Sequence, residues 1–329
     1  MKKKYKVLHV ILSKKYSGSE KYVNDLINYQ SKFHNVSVVI LKQNLYFDSL
    51  ISKKITKFKI SNYFKKISLN NIIKRYEPNI IHTHLGEATK LISRSINYKI
   101  ISTLHMNYKH KYYKNCDAII VSNSTQYLEL SKIFTGKIYK SYLWVNIKKP
   151  KKNSKQIKRF LKIPSKHKII GSIGRFHPQK GFDIILSCFK KANPKNTTLV
   201  LIGNDHDKYL NEIKNFKNII LKGHVDNVSD YYKIFDVAIF ASRWETFGFS
   251  LIEAMKFNLP IISSTHIGNR DWIKDYKITK ISLNNLPDIT NKILSISKTK
   301  IKKQKYNINK FSYIENCKKI SNIYSDLLK

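Results

Sequence analysis

Cysteine is scarce in this 329-residue chain, and its placement excludes more than its number does. Cys116, Cys188 and Cys317 are odd in number, far apart and without metal-ligand spacing, so neither a disulfide framework nor a thiolate metal site is expected. Reduced thiols in a cytosolic compartment are the simplest reading. Long apolar runs are missing too. No stretch approaches 18 apolar residues, so no segment is expected to cross a membrane as a helix. The start, Met1-Lys2-Lys3-Lys4-Tyr5-Lys6, has the charged lead of a secretory signal, but the apolar run behind it, Val7 to Leu12, is six residues long and contains His9. That is too short and too polar for a signal's apolar region, and any membrane association is expected to be peripheral. Acidic residues are few as well, 21 against 62 Lys plus Arg, for a formal net charge of +41. Arginine accounts for six of the 62, which leaves 56 lysines. Lysine, isoleucine and asparagine are all abundant, the pattern of an A/T-rich genome, and codon bias is the bland cause of much of the charge. The physical consequence stands: such a surface attracts polyanions. Anionic lipid head groups and nucleic acid are the two candidates.

What the chain does have is alternation. Short β-branched runs at Tyr5–Leu12, Val36–Leu41, Asn79–His82, Lys99–Leu104 and Ala118–Ser122 read as strands. Helical patterns lie between them, at about Ser19–Gln30, Leu69–Tyr76, Glu87–Ile96 and Ser124–Ile133. The polar stretch Lys148-Lys149-Pro150-Lys151-Lys152-Asn153-Ser154-Lys155 looks like a linker or a solvated loop before a short helix. The alternation then restarts with Lys168–Ile173, Thr198–Ile202, Asn218–Leu221, Val237–Ala241 and Pro260–Ser263. Two successive β-α-β series predict an α/β chain of two doubly wound, parallel-sheet, Rossmann-like domains, residues 1–150 and 151–311, facing a cleft. The tail 312–329 carries a helical stripe, Ile314, Cys317, Ile320, Tyr324 and Leu327, expected to pack on a domain face.

Two segments carry the chemistry. In the first, Glu245-Thr246-Phe247-Gly248-Phe249-Ser250-Leu251-Ile252-Glu253-Ala254-Met255 follows the apolar run Val237–Ala241. Thr246 and Gly248 sit where a helix would begin, at the carboxyl end of a parallel strand, a ready place for a diphosphate. Glu245 lies just outside that helix and Glu253 roughly 12 Å further along it. That is too far to share a proton, so two separate hydrogen-bonding tasks fit better than an acid/base dyad. The bland alternative is a pair of ordinary exposed glutamates on an amphipathic helix. The second segment, Ile169-Ile170-Gly171-Ser172-Ile173-Gly174-Arg175-Phe176-His177-Pro178-Gln179-Lys180-Gly181, sets two cations five residues apart after a strand. Gly174 permits a sharp turn, Arg175 suits bidentate contact with phosphate oxygens, and Lys180 adds a point charge. It is not a P-loop, and solvated cations are the bland alternative. Asp205-His206-Asp207 has the look of a metal-bridged diphosphate site, with a capped helix start as the competing reading. His82 and His84 are expected on opposite faces of their strand, one of them structural, leaving His105 as the functional histidine.

Together, Gly174-Arg175 with Lys180-Gly181, then Glu245-x-Phe247-Gly248 about 65 residues on, and Glu253 eight residues after Glu245, closely resemble the GT-B glycosyltransferases of the large retaining family 4. The resemblance covers about residues 168–272. More loosely, Asn79-Ile80-Ile81-His82-Thr83-His84 and Ser102-Thr103-Leu104-His105 resemble that family's strand-end histidine segments. Ser17-Gly18 stands where the family has a glycine pair, and Gly268 stands alone near Asp271 where two glycines and a glutamate are usual. The resemblance implies a nucleotide-sugar donor whose diphosphate is held by Arg175, Lys180 and the backbone of Phe247 and Gly248. It implies that Glu245 and His105 address the transferred sugar, Glu253 the ribose, the backbone near His224 and Val225 the base, and Gly18 a close approach to the donor. Transfer with retention, no metal or other cofactor, and departure and attack on one face of the sugar are further implications. A glycan or lipid-linked acceptor in bacterial lipopolysaccharide or capsule assembly is the expected partner, on an anionic inner membrane face. Two alternatives stay open: another GT-B enzyme, such as a sugar-nucleotide epimerase or phosphorylase, and a basic nucleic-acid-binding protein. Against the latter, the lysines are dispersed and neither a recognition helix nor an aromatic RNA-binding motif is present.

Overall fold

A computed structural model describes residues 4–329. Among the described residues, thirteen strands form two parallel sheets. The first contains β1 (Lys6–Ile11), β2 (Asn35–Leu41), β3 (Thr56–Ile60), β4 (Ile80–His84), β5 (Lys99–Thr103), β6 (Ala118–Val121) and β7 (Lys137–Lys140). Their spatial order is β3-β2-β1-β4-β5-β6-β7. The second contains β8 (Lys168–Ile173), β9 (Thr197–Ile202), β10 (Ile219–Lys222), β11 (Val237–Phe240), β12 (Ile261–Ser264) and β13 (Thr279–Ile281), in the order β10-β9-β8-β11-β12-β13. Each order reverses beside its first strand, between β1 and β4 and between β8 and β11. Doubly wound sheets bind ligands outside the carboxyl ends of the strands at that reversal.

The central strands read as near-continuous apolar runs because helices cover both faces. Val7, Leu8, Val10 and Ile11 of β1 are fully buried or nearly so, as are Leu199, Val200, Leu201 and Ile202 of β9. Three strands absent from the sequence reading, β3, β7 and β13, lie toward or at sheet edges and carry lysines such as Lys57, Lys137 and Lys280. Charges there blunt pairing with other chains, and they also mask the apolar signal. The helix expected over Glu87–Ile96 is four residues long, Gly86–Thr89. Beyond it, Ser95 Oγ accepts from the Asn97 amide and Tyr98 Oη donates to the Ser93 carbonyl. Such local partners compete with helical hydrogen bonds.

The chain divides into two compact units: residues through Trp144 together with Lys310–Lys329, and Val145–Asn309. The closing helix, Tyr313–Leu327, therefore belongs with the first unit, where Tyr313 Oη donates to the Asp25 carbonyl. The basic stretch after Val145 is docked within the second unit. Asp230 Oδ1 accepts from the Lys151 and Lys152 amides at 2.6 and 2.9 Å, and Asn153 caps the helix Ser154–Phe160. All three cysteines are buried free thiols.

Candidate functional site

In the second unit, β8 and β11 flank the reversal of strand order, and both motif segments leave their carboxyl ends there. After β8 the backbone turns at Gly174, which is pressed from behind by Gly203. A Cβ at Gly203 would stand 1.7 Å from the Gly174 carbonyl oxygen, so any side chain there would displace the turn. The loop then reaches Lys180 and closes at Gly181, whose φ of 66° no β-branched residue tolerates. Opposite it, the segment after β11 presents Ser242 and Glu245. Lys180 Nζ forms a short ion pair with Glu245 Oε1, and Ser242 Oγ donates to the same oxygen at 3.0 Å.

This pairing disposes of the reading in which the glutamates are ordinary surface groups. The Glu245 side chain is 13% exposed and Glu253 as a residue 7%. Gly248, at φ 90°, caps the helix Phe249–Lys256, so the helix begins three residues after Thr246 rather than at it. Glu253 lies one turn inside. The Tyr232 hydroxyl is 3.2 Å from Glu253 Oε2 and 3.0 Å from the Ser250 carbonyl. Burial, reinforced by the Glu253 charge, holds the Tyr232 phenol well above its ordinary pKa, so it serves as a neutral donor.

Three contributors to the site escaped the sequence reading. Arg243 makes a two-pronged ion pair with Asp183, at 2.9 and 2.7 Å, and donates to the Pro178 carbonyl. It thereby fastens the Lys180 loop to the segment that carries Glu245. His266, after β12, lines the same small cleft as Ser172, Lys180, Ser242, Glu245 and Gly248. Burial lowers its pKa to about 4, so it is neutral at pH 7. Gly268 explains why a small residue follows: a Cβ there would lie 2.3 Å from the Phe247 nitrogen. None of these has a linear signature, because each comes from a different strand end.

The other expected residues fall as follows. Arg175 is exposed on the loop after β8, and Phe247 is buried at 2% exposure, its ring near those of Phe249 and Trp272. Val225 is half-buried in the loop that leaves β10. Gly18 opens the helix Gly18–Gln30 after β1, where Ser17 and the fully buried Glu20 form a capping box. His105, like Gly18, belongs to the first unit and follows β5. Asp205 and Asp207 do not gather with a third ligand. Asp207 is exposed and begins a 3-10 turn whose N-cap, His206, makes no side-chain capping hydrogen bond, so the segment is not the capped helix start either. Among the described residues, the group of three with metal-capable atoms near one another is His9, His82 and His84.

That group corrects one expectation outright. His82 and His84 share a face of β4, with ring centroids 4.3 Å apart. A strand alternates with a period of two, so residues i and i+2 point the same way. Both are fully buried, and both bond onward: His82 to Tyr324 at 2.5 Å and Thr103 at 2.8 Å, His84 to His9 and His105.

With this geometry established, comparison adds a family likeness. Residues 153–312 match the family described as Glycosyl transferases group 1. The match takes in nearly all of the second unit. A Klebsiella pneumoniae protein encoded in the cps region is 32% identical over 105 residues, 31% of this chain and 29% of that one. An uncharacterised glycosyltransferase of Methanocaldococcus jannaschii is 26% identical over 231 residues, 59% of this chain and 57% of its own length. The chain thus spans less than a third of the first of these relatives and little more than half of the second. Among solved structures, Anabaena HepE in complex with UDP and glucose is similar over 98% of this chain and 100% of its own, with a TM-score of 0.77 at 14% identity. The two parallel sheets are those of the GT-B fold.

Proposed function

We propose that this chain transfers a sugar from a nucleoside diphosphate donor to a glycan or lipid-linked acceptor, with retention of anomeric configuration. The observation that carries the reading is the convergence of Lys180, Ser242 and Glu245 with the Gly248 helix start at the strand-order reversal of the second sheet. A cation and a helix N-terminus suit a departing diphosphate, and a held carboxylate suits sugar hydroxyls. In this reading Lys180 exchanges Glu245 for phosphate when donor binds, Arg175 closes over the diphosphate from its exposed position, and Glu253 with the Tyr232 hydroxyl receives the ribose. No metal ion enters the scheme. The UDP and glucose bound by HepE support a nucleotide-sugar donor. The cps region of the Klebsiella relative supports surface polysaccharide assembly.

A screen of nucleotide-sugars for thermal stabilisation tests this directly, since a ligand at 100 times its Kd adds about 2.7 kcal/mol. Lys180→Ala and Arg175→Ala are each expected to weaken donor and free nucleoside diphosphate together. The loss is about tenfold, the low end for a charge-assisted contact, because Lys180 first leaves Glu245 and Arg175 is solvated. Unchanged nucleotide affinity in both variants would exclude this phosphate site. An epimerase or phosphorylase of the same fold is separated by asking whether donor turnover needs a glycan acceptor.

The same reading places the protein at the cytoplasmic face of a membrane, held peripherally. No helix among the described residues is long and apolar enough to cross one. Tyr63 and Phe64, 74% and 77% exposed, stand beside Lys65 and Lys66 at the start of the helix Lys65–Tyr76. Vesicles with anionic lipid are expected to retain the protein, neutral vesicles to release it, and 1 M salt, where the Debye length is about 3 Å, to elute it. Equal retention by neutral vesicles would remove the electrostatic account. Retention through 1 M salt would transfer the weight to Tyr63 and Phe64.

A further inference from the structure

A file of imidazoles runs through the first unit behind His105. Gln30 Oε1 lies 2.9 Å from His9 Nε2, His9 Nδ1 lies 3.1 Å from His84 Nε2, and His84 Nδ1 lies 3.2 Å from His105 Nε2. Gln30, His9 and His84 are fully buried. The rings of His9 and His84 lie nearly parallel, with centroids 5.4 Å apart. β1 and β4 pair so that Ile11 faces His84 and His9 faces His82, which fixes the register of the file in the sheet itself.

A neutral imidazole donates from one nitrogen and accepts at the other. With the Gln30 oxygen facing His9, the direction of every proton follows. His9 donates through Nε2 and accepts at Nδ1. His84 then donates through Nε2 and accepts at Nδ1, and His105 donates through Nε2. His105 Nδ1 is left bare, with no partner among the described residues. No carboxylate among the described residues hydrogen-bonds to the file, so nothing in it rewards an imidazolium. Burial accordingly lowers His9 to about 4 and His105 to about 3. The groups packed around it are also neutral at pH 7: His82 stacks on His84, and the Tyr22 ring meets His105 edge-on at 5.0 Å. Tyr324 Oη lies between His82 and Gln30.

We infer that His9, His84 and Gln30 are positioning residues that fix His105 as its Nε2–H tautomer and leave its Nδ1 bare as a hydrogen-bond acceptor. His105 then works as a neutral acceptor rather than as a general base. The tautomer stands on the file alone, and its bearing on turnover rests on the proposed transferase reading. Gln30 sets the sense of the whole file from its far end. Reversing its amide would reverse each bond and place a proton on His105 Nδ1.

The experiment is a two-bond proton–nitrogen correlation spectrum of 15N-histidine-labelled protein at pH 7, with His105 assigned by His105→Gln. The expected spectrum has neutral His105 protonated at Nε2 only. His84→Leu removes the acceptor and mixes the tautomers, whereas His84→Asn returns a side-chain oxygen near the Nδ1 position and restores Nε2–H. In turnover, His84→Leu is expected to lower kcat three- to tenfold with donor KM unchanged, and His84→Asn to recover most of it. A wild-type His105 carrying its proton on Nδ1 overturns the file as described. So does stoichiometric zinc in the purified protein, which would make His9, His82 and His84 a metal site. If the tautomers are as expected but His105→Ala turns over like wild type, the file stands and the role of His105 in turnover falls.

Discussion

Acidification from pH 7 to pH 5 is expected to remove much of the folding stability of the first unit, and less of the second's. His9, His82, His84 and His266 are buried and neutral, and burial holds all four below the ordinary histidine value of 6.5, His9 and His266 to about 4. The unfolded chain therefore binds more protons than the folded one as pH falls below 6.5, so stability declines with falling pH. It is fully present above about 6.5, shrinks through 6 and 5, and levels off only near the folded values around 4. Each buried imidazole costs on the order of 2 kcal/mol at pH 5 relative to pH 7. His9, His82 and His84 lie in the first unit and together reach the lower part of the 5–15 kcal/mol that holds a typical domain together, whereas His266 acts alone on the second. The measurement is the urea midpoint and thermal midpoint at pH 7.5, 6 and 5. His9→Gln supplies the control, because it should reduce the pH slope by about one proton even if it lowers stability overall. The loss should also persist in about 0.5 M salt, since it originates in desolvation rather than in repulsion among lysines. A midpoint that stays level from pH 7 to pH 5 would mean that these histidines are not buried neutral in the folded protein.

The same histidines mark the boundary of what was legible in the sequence. Strands such as β1, β2, β8 and β9 announce themselves because sheets covered on both faces need near-continuous runs rich in Val, Ile and Leu. Strands β3, β7 and β13 are hidden because lysines alternate with their apolar residues, which suits an edge or near-edge position. In the site, Arg175, Lys180, Glu245, Gly248 and Glu253 were legible because phosphate and sugar binding at a parallel sheet draws its residues from the first turn after a strand. Ser242, His266 and the Arg243–Asp183 pair were not. Their meaning lies in their partners: Glu245 three residues on for Ser242, Glu245 from the end of another strand for His266, and the Lys180 loop for the pair. The histidine file shows the same limit. His9, His84 and His105 are 75 and 21 residues from their neighbours in the file, and parallel pairing of β1 with β4 and of β4 with β5 brings them together. Period two alone would have placed His82 and His84 on one face, but their bonding partners come only from the fold.

Glu245→Gln and Glu253→Gln are expected to fail in different ways, and the environments of the two carboxylates say how. Glu245 is the common acceptor of Lys180 and Ser242, so its oxygen is held at the site by two donors before any ligand arrives. In the proposed reaction it turns toward the sugar hydroxyls, whose demand for a negative partner grows as the ring becomes oxocarbenium-like. Glutamine keeps the size and loses the charge, which removes a charge-assisted contact of about 1.5–3 kcal/mol from the transition state. That predicts a fall in kcat of roughly 10- to 150-fold. Affinity for free nucleoside diphosphate should not fall, because Lys180 is released for phosphate when its carboxylate partner is neutralised. Glu253 differs: it is buried one turn into its helix beside the Tyr232 hydroxyl, away from the Lys180 ion pair. Its substitution should weaken donor and free nucleoside diphosphate alike, since both carry the ribose. A 2′-deoxy donor should lose little further affinity in Glu253→Gln, because the contact it lacks is already impaired. Steady-state kinetics with donor, together with calorimetry on the free nucleotide, separates the cases. Loss of diphosphate binding in Glu245→Gln with none in Glu253→Gln would exchange the two roles. Wild-type turnover in both would mean that this carboxylate pair does not serve the transfer.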